Sequence, residues 1–177
     1  MKAKPVRRLV TGHDQHGKSK FLMDSEAESV LIVENMGNLA ITDLWEVFDA
    51  PADNTGEADN ADRAVHLEPT ERGSIFRIVE FPPDSLWKNN GDGAAAFAEI
   101  QARHASDQSA DDPAMHKTDT VDYALVLDGE IWAVMDNDER LMKAGDALVQ
   151  RGTNHAWANK TDEICRVMFV LCGAKPV

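Results

Sequence analysis

With 177 residues, 43% of them hydrophobic and 28% charged, the chain is sized for one domain with its own core rather than for two. Its 18 basic residues against 31 acidic ones leave a formal net charge of −13, a surface that repels nucleic acid and anionic lipid headgroups, so neither is expected as a partner. No apolar run approaches the roughly 18 residues of a membrane helix.

Cys165 and Cys172 are the only cysteines. Their odd separation on one predicted strand points them to opposite faces, so they are not expected to bridge each other. Free thiols, and a basic start followed by no apolar leader, predict a cytoplasmic protein.

In chain order, residues 8–11 and 19–23 read as a hairpin around the turn His13-Asp14-Gln15-His16-Gly17. A candidate strand follows over 29–34, and another over 39–48 in which apolar residues alternate only loosely (Leu39, Ile41, then Leu44, Trp45 and Val47). Residues 49–72 hold Pro51, Gly56 and Pro69 among seven acids and read as a long solvated loop, with a lid over a binding site as the functional alternative. Residues 73–81 form a strand with Ile75, Arg77 and Val79 on one face and Phe76, Ile78 and Glu80 on the other.

An insertion spans 84–114, and its Ala-rich stretch predicts one helix over 93–104. Beyond it come hairpin strands at 121–128 and 130–135, a turn at 136–139, and strands near 147–150, 155–158 and 165–171. The last is expected to be buried on both faces. Short apolar runs separated by turn signals at this rhythm mark an antiparallel β-sandwich or barrel.

Two motifs stand out in the second half. The first sets His116, Thr118, Asp122 and Gly129 in order; the second sets Gly145, Arg151-Gly152, His155 and Asn159. In spacing they resemble the paired motifs of the cupin superfamily. Thr118 stands where the first motif usually has a second His, and Asp122 where it usually has Glu. The resemblance implies an all-β fold: a cupin-like antiparallel β-barrel (jelly roll) over residues 1–177, with an N-terminal strand arm (1–48), the acidic loop (49–72), a strand with one short helical insertion (73–114) and the motif core (115–171).

The resemblance also implies inward-facing ligands for a divalent transition metal (Fe, Mn, Zn or Ni). In this sequence those would be His116, Asp122 and His155, a two-imidazole, one-carboxylate set, with Thr118 facing the open position. Trp45 and Trp157 would line the mouth against an unsaturated substrate, and Arg77 would hold a substrate carboxylate or else pair with an internal acid. A homodimer acting on a small molecule is implied as well.

Three functions follow from these residues. One is a metal-dependent enzyme, either a dioxygenase or a Lewis-acid lyase, isomerase or decarboxylase. Another is a metal-free dehydratase or isomerase using Asp122 and His155 for acid–base work. The third is a non-catalytic binder of a small ligand.

Overall fold

The computed structural model describes residues 3–89 and 93–177. The first two residues of the basic start, and residues 90–92 within the predicted insertion, lie outside the described set. Strands β1 (Arg7–His13) and β2 (Ser19–Glu26) form an antiparallel hairpin of their own. Then come β3 (Val30–Val33), β4 (Leu39–Val47), β5 (Ser74–Phe81), helix α1 (Gly93–Glu99), β6 (Thr120–Asp128), β7 (Glu130–Met135), β8 (Glu139–Lys143), β9 (Ala147–Arg151), β10 (His155–Ala158) and β11 (Cys165–Gly173).

Six of these strands form one antiparallel sheet in the order β3-β4-β5-β11-β6-β9, and three form a second in the order β10-β7-β8. One apolar cluster draws Ile41, Val79, Val126, Val167 and Phe169 from the large sheet and Ile131, Ala133 and Trp157 from the small one. The core therefore lies between the sheets, as in a jelly roll.

The strands expected at 121–128 and 130–135 exist, but they are not a hairpin. β6 pairs with β11 and β9, whereas β7 pairs with β10 and β8. Gly129 takes φ +76° and carries the chain from one sheet to the other. A Cβ there would stand 3.1 Å from the Ile164 carbonyl and 3.2 Å from the Cys165 Cα, so the crossover uses both the conformational freedom and the small size of glycine. Strand β8 begins inside the predicted turn; its Glu-Arg-Leu-Met-Lys sequence has no clean alternation to announce it.

The loose alternation of β4 has a specific cause. A bulge between Asp43 and Trp45 resets the register against β5. Leu39, Ile41 and Asp43 face inward before it, and Glu46 faces inward after it, all nearly or fully buried. The extra residue re-aims the strand so that Glu46 reaches the interior as Asp43 does, while Leu44 joins Ile78 in a small outer cluster beneath Val6.

Helix α1 stops at Glu99, short of the expected 104. Gln101 adopts φ +57°, its N–H bonds the Ala98 carbonyl, and the Ala102 N–H bonds the Phe97 carbonyl. That pair of bonds is a Schellman cap built on a residue other than glycine, and it ends the helix despite the favourable composition beyond.

Burial along β11 alternates. Cys165, Val167, Phe169 and Leu171 point inward, while Met168 and Val170 are only half-buried on the outside. Cys165 is buried, Cys172 is half-buried, and both thiols are free.

The 49–72 segment is solvated only in its first part. Residues 51–58 are exposed, but Ala61 and Val65 are buried. The Leu67 N–H also bonds the Ile100 carbonyl just beyond α1, so the second part of the loop belongs to the wall of the barrel.

Candidate functional site

A cavity of about 100 Å³ lies between the sheets. Its polar side chains are Arg77, Asp84, His116, Asp122 and His155. The remainder of its wall, among the described residues, is apolar, including Leu67, Trp87, Phe97, Trp157 and Phe169.

Strand β10 brings His155 to this cavity. The segment before β6 brings His116 beside it through a two-way backbone bridge, each residue's N–H bonding the other's carbonyl at 2.9 Å. The two ring centroids are 4.2 Å apart. His116 Nδ1 lies 2.9 Å from the Ala114 carbonyl, and His155 Nδ1 lies 2.9 Å from the Thr153 carbonyl. A carbonyl only accepts, so each Nδ1 is the protonated nitrogen, and the neutral ring presents the lone pair of Nε2.

Burial pushes both imidazoles towards the neutral form. His116 lies below the ordinary histidine value, and His155 is lowered to about 3, by burial first and by the neighbouring His116 charge second. A base whose folded pKa is depressed destabilises the native state as pH falls below the unfolded value. Between pH 6.5 and pH 3 the unfolded chain gains a proton that native His155 refuses. His155→Gln is therefore expected to flatten the acid limb of the stability curve, gaining about 3 kcal/mol on wild type at pH 4, with no such gain above pH 7. Thermal melts across pH 4–8 would check it; parallel curves for the two proteins would refute it.

Asp122 reaches the cavity from β6 on the large sheet. It is 5% exposed, and its Oδ1 has no hydrogen-bond partner among the described residues. Burial raises its pKa to about 6, opposed by a hydrogen bond from Thr120 and by the positive charge of Arg77. A carboxyl with a free oxygen, set across an apolar space from two neutral imidazoles, is poised to move protons near neutral pH.

The other residues singled out in the sequence are placed as follows. Trp157 lines the cavity and packs edge-on against Phe169 at 5.2 Å between ring centroids. Thr118 is buried, bonds Thr120 through their hydroxyls at 2.7 Å, and does not line the cavity. Trp45 stands on the outside of the barrel, in a groove with Leu9 and Phe76, because the β4 bulge turns it outward.

Arg77 lines the cavity but is already matched. Its Nε bonds Asp43 Oδ1 at 2.9 Å and its Nη2 bonds Asp43 Oδ2 at 3.2 Å, directly across the β4–β5 register. The same guanidinium donates to the carbonyls of His66 and Leu67, at 2.6 and 3.3 Å. Arg63 pairs with both Asp43 and Glu46, and His66 Nε2 lies 3.3 Å from Glu46. This buried network clamps the 61–68 segment to the barrel and holds Leu67 against the cavity. Sequence reading raised an internal acid for Arg77 without locating it; the β4–β5 register supplies Asp43.

The fit to a metal can be tested on the donor set. Two Nε2 atoms are available, but among the described residues no three His, Cys, Asp or Glu side chains stand close enough to hold one ion. Asp122 is turned towards Thr120 and Arg77 instead. Catalytic metal sites ordinarily use three protein ligands, and the side chains as placed supply two imidazoles without a third donor beside them.

Similarity to known proteins agrees with the architecture. The cupin domain family model matches residues 103–171, a span that includes His116, Asp122 and His155. The chain is 31% identical over 180 residues to phomopsin biosynthesis cluster protein C' of Diaporthe leptostromiformis, covering 96% of this chain and 79% of that one. It is 27% identical over 177 residues to the cupin-domain-containing oxidoreductase virC of Hypocrea virens, covering 96% and 77%. Among solved structures it is similar to a Cupin 2 conserved barrel domain protein from Salinispora arenicola, with 15% identity, 80% of each chain covered and a TM-score of 0.42. The chain belongs to the cupin superfamily.

Proposed function

We propose that this protein is a cupin-type enzyme that moves protons on a small molecule held in the barrel, with Asp122 as the group that takes and returns the proton. The observation that supports this reading best is the unpaired Asp122 Oδ1, buried in an apolar cavity that it shares with two imidazoles presenting Nε2 lone pairs. Asp122 as carboxylate takes a proton from a carbon next to a carbonyl. It then returns that proton either to a second carbon, giving an isomer, or to a leaving hydroxyl, which departs as water. In both cases the carboxylate is restored. His116 and His155 accept hydrogen bonds from substrate hydroxyls and fix which carbon faces Asp122.

The test uses 2-tetralone, an apolar ketone with exchangeable α-protons, in D2O with a chelator present, followed by proton NMR. Wild type is expected to speed exchange at least 10²-fold over buffer, in the range for a placed acid–base group, and Asp122→Asn is expected to lose that gain. Exchange at the buffer rate in wild type would overturn the reading.

The two adjacent, backbone-anchored imidazoles favour a second reading: a metal-dependent enzyme binding iron, manganese, zinc or nickel at His116 and His155, with Asp122 turned in as a third ligand. The oxidoreductase names carried by relatives are compatible with it. Exchange that is present without chelator and abolished by it would select this reading over the first. Action on a small molecule by a homodimer, as the superfamily resemblance implies, belongs to both readings.

A further inference from the structure

We infer that the cavity selects an apolar substrate that carries no acid group: a hydrocarbon skeleton with hydroxyl or carbonyl functions, and no carboxylate, phosphate or sulfate. The inference deepens the proposed function and rests on its placement of substrate in this cavity, though not on Asp122 acting as a proton carrier.

It follows from an account of charge on the wall. Among the described residues, Arg77 is the only Lys or Arg that lines the cavity. An anionic substrate needs a cation with donors to spare, and a bidentate guanidinium is the usual device. Here both edges of that fork are taken. Asp43, fully buried, neutralises Arg77 through two bonds, and two backbone carbonyls take further donors. Lys88, next to the lining residue Trp87, is itself held between Asp84 at 3.0 Å and Asp112 at 2.6 Å.

The remaining polar groups work against an anion. Asp122 sets a carboxyl group in the largely apolar wall, where a second carboxylate meets repulsion that water does not screen. The Nε2 atoms of His116 and His155 are acceptors and can hold hydroxyl hydrogens but not carboxylate oxygens. Phe97, Trp157, Phe169 and Trp87 supply flat apolar surface for the skeleton. Asp43 thus sets specificity at second hand, by occupying the guanidinium that would otherwise receive an acid.

The experiment compares two probes of the same shape, naphthalene-2-methanol and 2-naphthoate, by titration calorimetry against the full chain at pH 7.5. Wild type is expected to bind the alcohol at least tenfold more tightly than the acid. Equal or tighter binding of the acid would overturn the inference, and so would failure of both to bind at millimolar concentration. Asp43→Asn, which leaves Arg77 one carboxylate short, is expected to narrow the preference towards the acid in whatever fraction remains folded. The wild-type comparison stands even if that variant does not fold. A tenfold preference for the alcohol alongside buffer-rate exchange of 2-tetralone would keep this inference and reject proton transfer; the reverse pattern would do the opposite.

Discussion

Asp43→Ala is expected to cost about 3–5 kcal/mol of folding stability, because it leaves the Arg77 guanidinium buried and unmatched. Arg77 is 2% exposed and Asp43 is fully buried. Burial alone already lowers the Arg77 pKa, and Asp43 is the main influence that restores it. The same substitution removes one partner of Arg63, so the 61–68 segment should loosen along with the barrel. Urea denaturation would give the loss, and limited proteolysis would show whether cleavage appears within 61–68. A loss below about 1 kcal/mol, the usual worth of an exposed pair, would show that the network is not the clamp described above.

Asp122→Asn is expected to act in the opposite direction on stability and to remove function. A carboxyl whose folded pKa lies near 6, against an ordinary 3.8, holds its proton more tightly when folded than when unfolded. Below pH 3.8 both states are protonated and the group contributes nothing. As pH rises from 3.8 to about 6 the unfolded chain releases a proton that the folded chain keeps, and stability falls by about 3 kcal/mol. An amide carries no such charge. The variant should therefore match wild type near pH 4, exceed it by about 3 kcal/mol at pH 7.5, and lose the exchange activity. Gain of stability with loss of activity is the pattern of a residue kept for chemistry rather than folding. A variant less stable than wild type at pH 7.5 would contradict the burial argument.

The sequence revealed the motif half of this molecule more fully than the first half, for physical reasons. Strands β6, β7, β10 and β11 are apolar and bounded by turn residues, so their existence was legible; their pairing was not. Gly129 marks a tight turn in sequence, but nothing local says whether the chain folds back on itself or crosses to another sheet. That choice is made by the packing of Gly129 against Ile164 and Cys165. Trp45 was legible as an aromatic on a strand, yet its face depended on a one-residue bulge, and a single extra residue reverses every side chain beyond it.

The candidate site divides in the same way. His116, Asp122, His155 and Trp157 were found by their spacing, and the structure brings all four to one cavity. Thr118 shares the motif and the buried face of Thr120 and Asp122, but its hydroxyl is taken by Thr120 and it does not line the cavity. The role of 61–68 could not be read, because its acidic, proline-containing surroundings look solvated. The anchors Arg63 and His66 become visible only once Asp43 and Glu46 are known to point inward.

The proposed function requires Asp122 to be a buried carboxyl that exchanges a proton near neutral pH beside two neutral imidazoles. Carbon-13 NMR of Asp-labelled protein, titrated from pH 3 to pH 8 and assigned with Asp122→Asn, tests it most directly. One aspartate signal is predicted to titrate near pH 6 and to vanish in the variant. An Asp122 signal that titrates below pH 4.5, with the ordinary surface aspartates, would contradict the account.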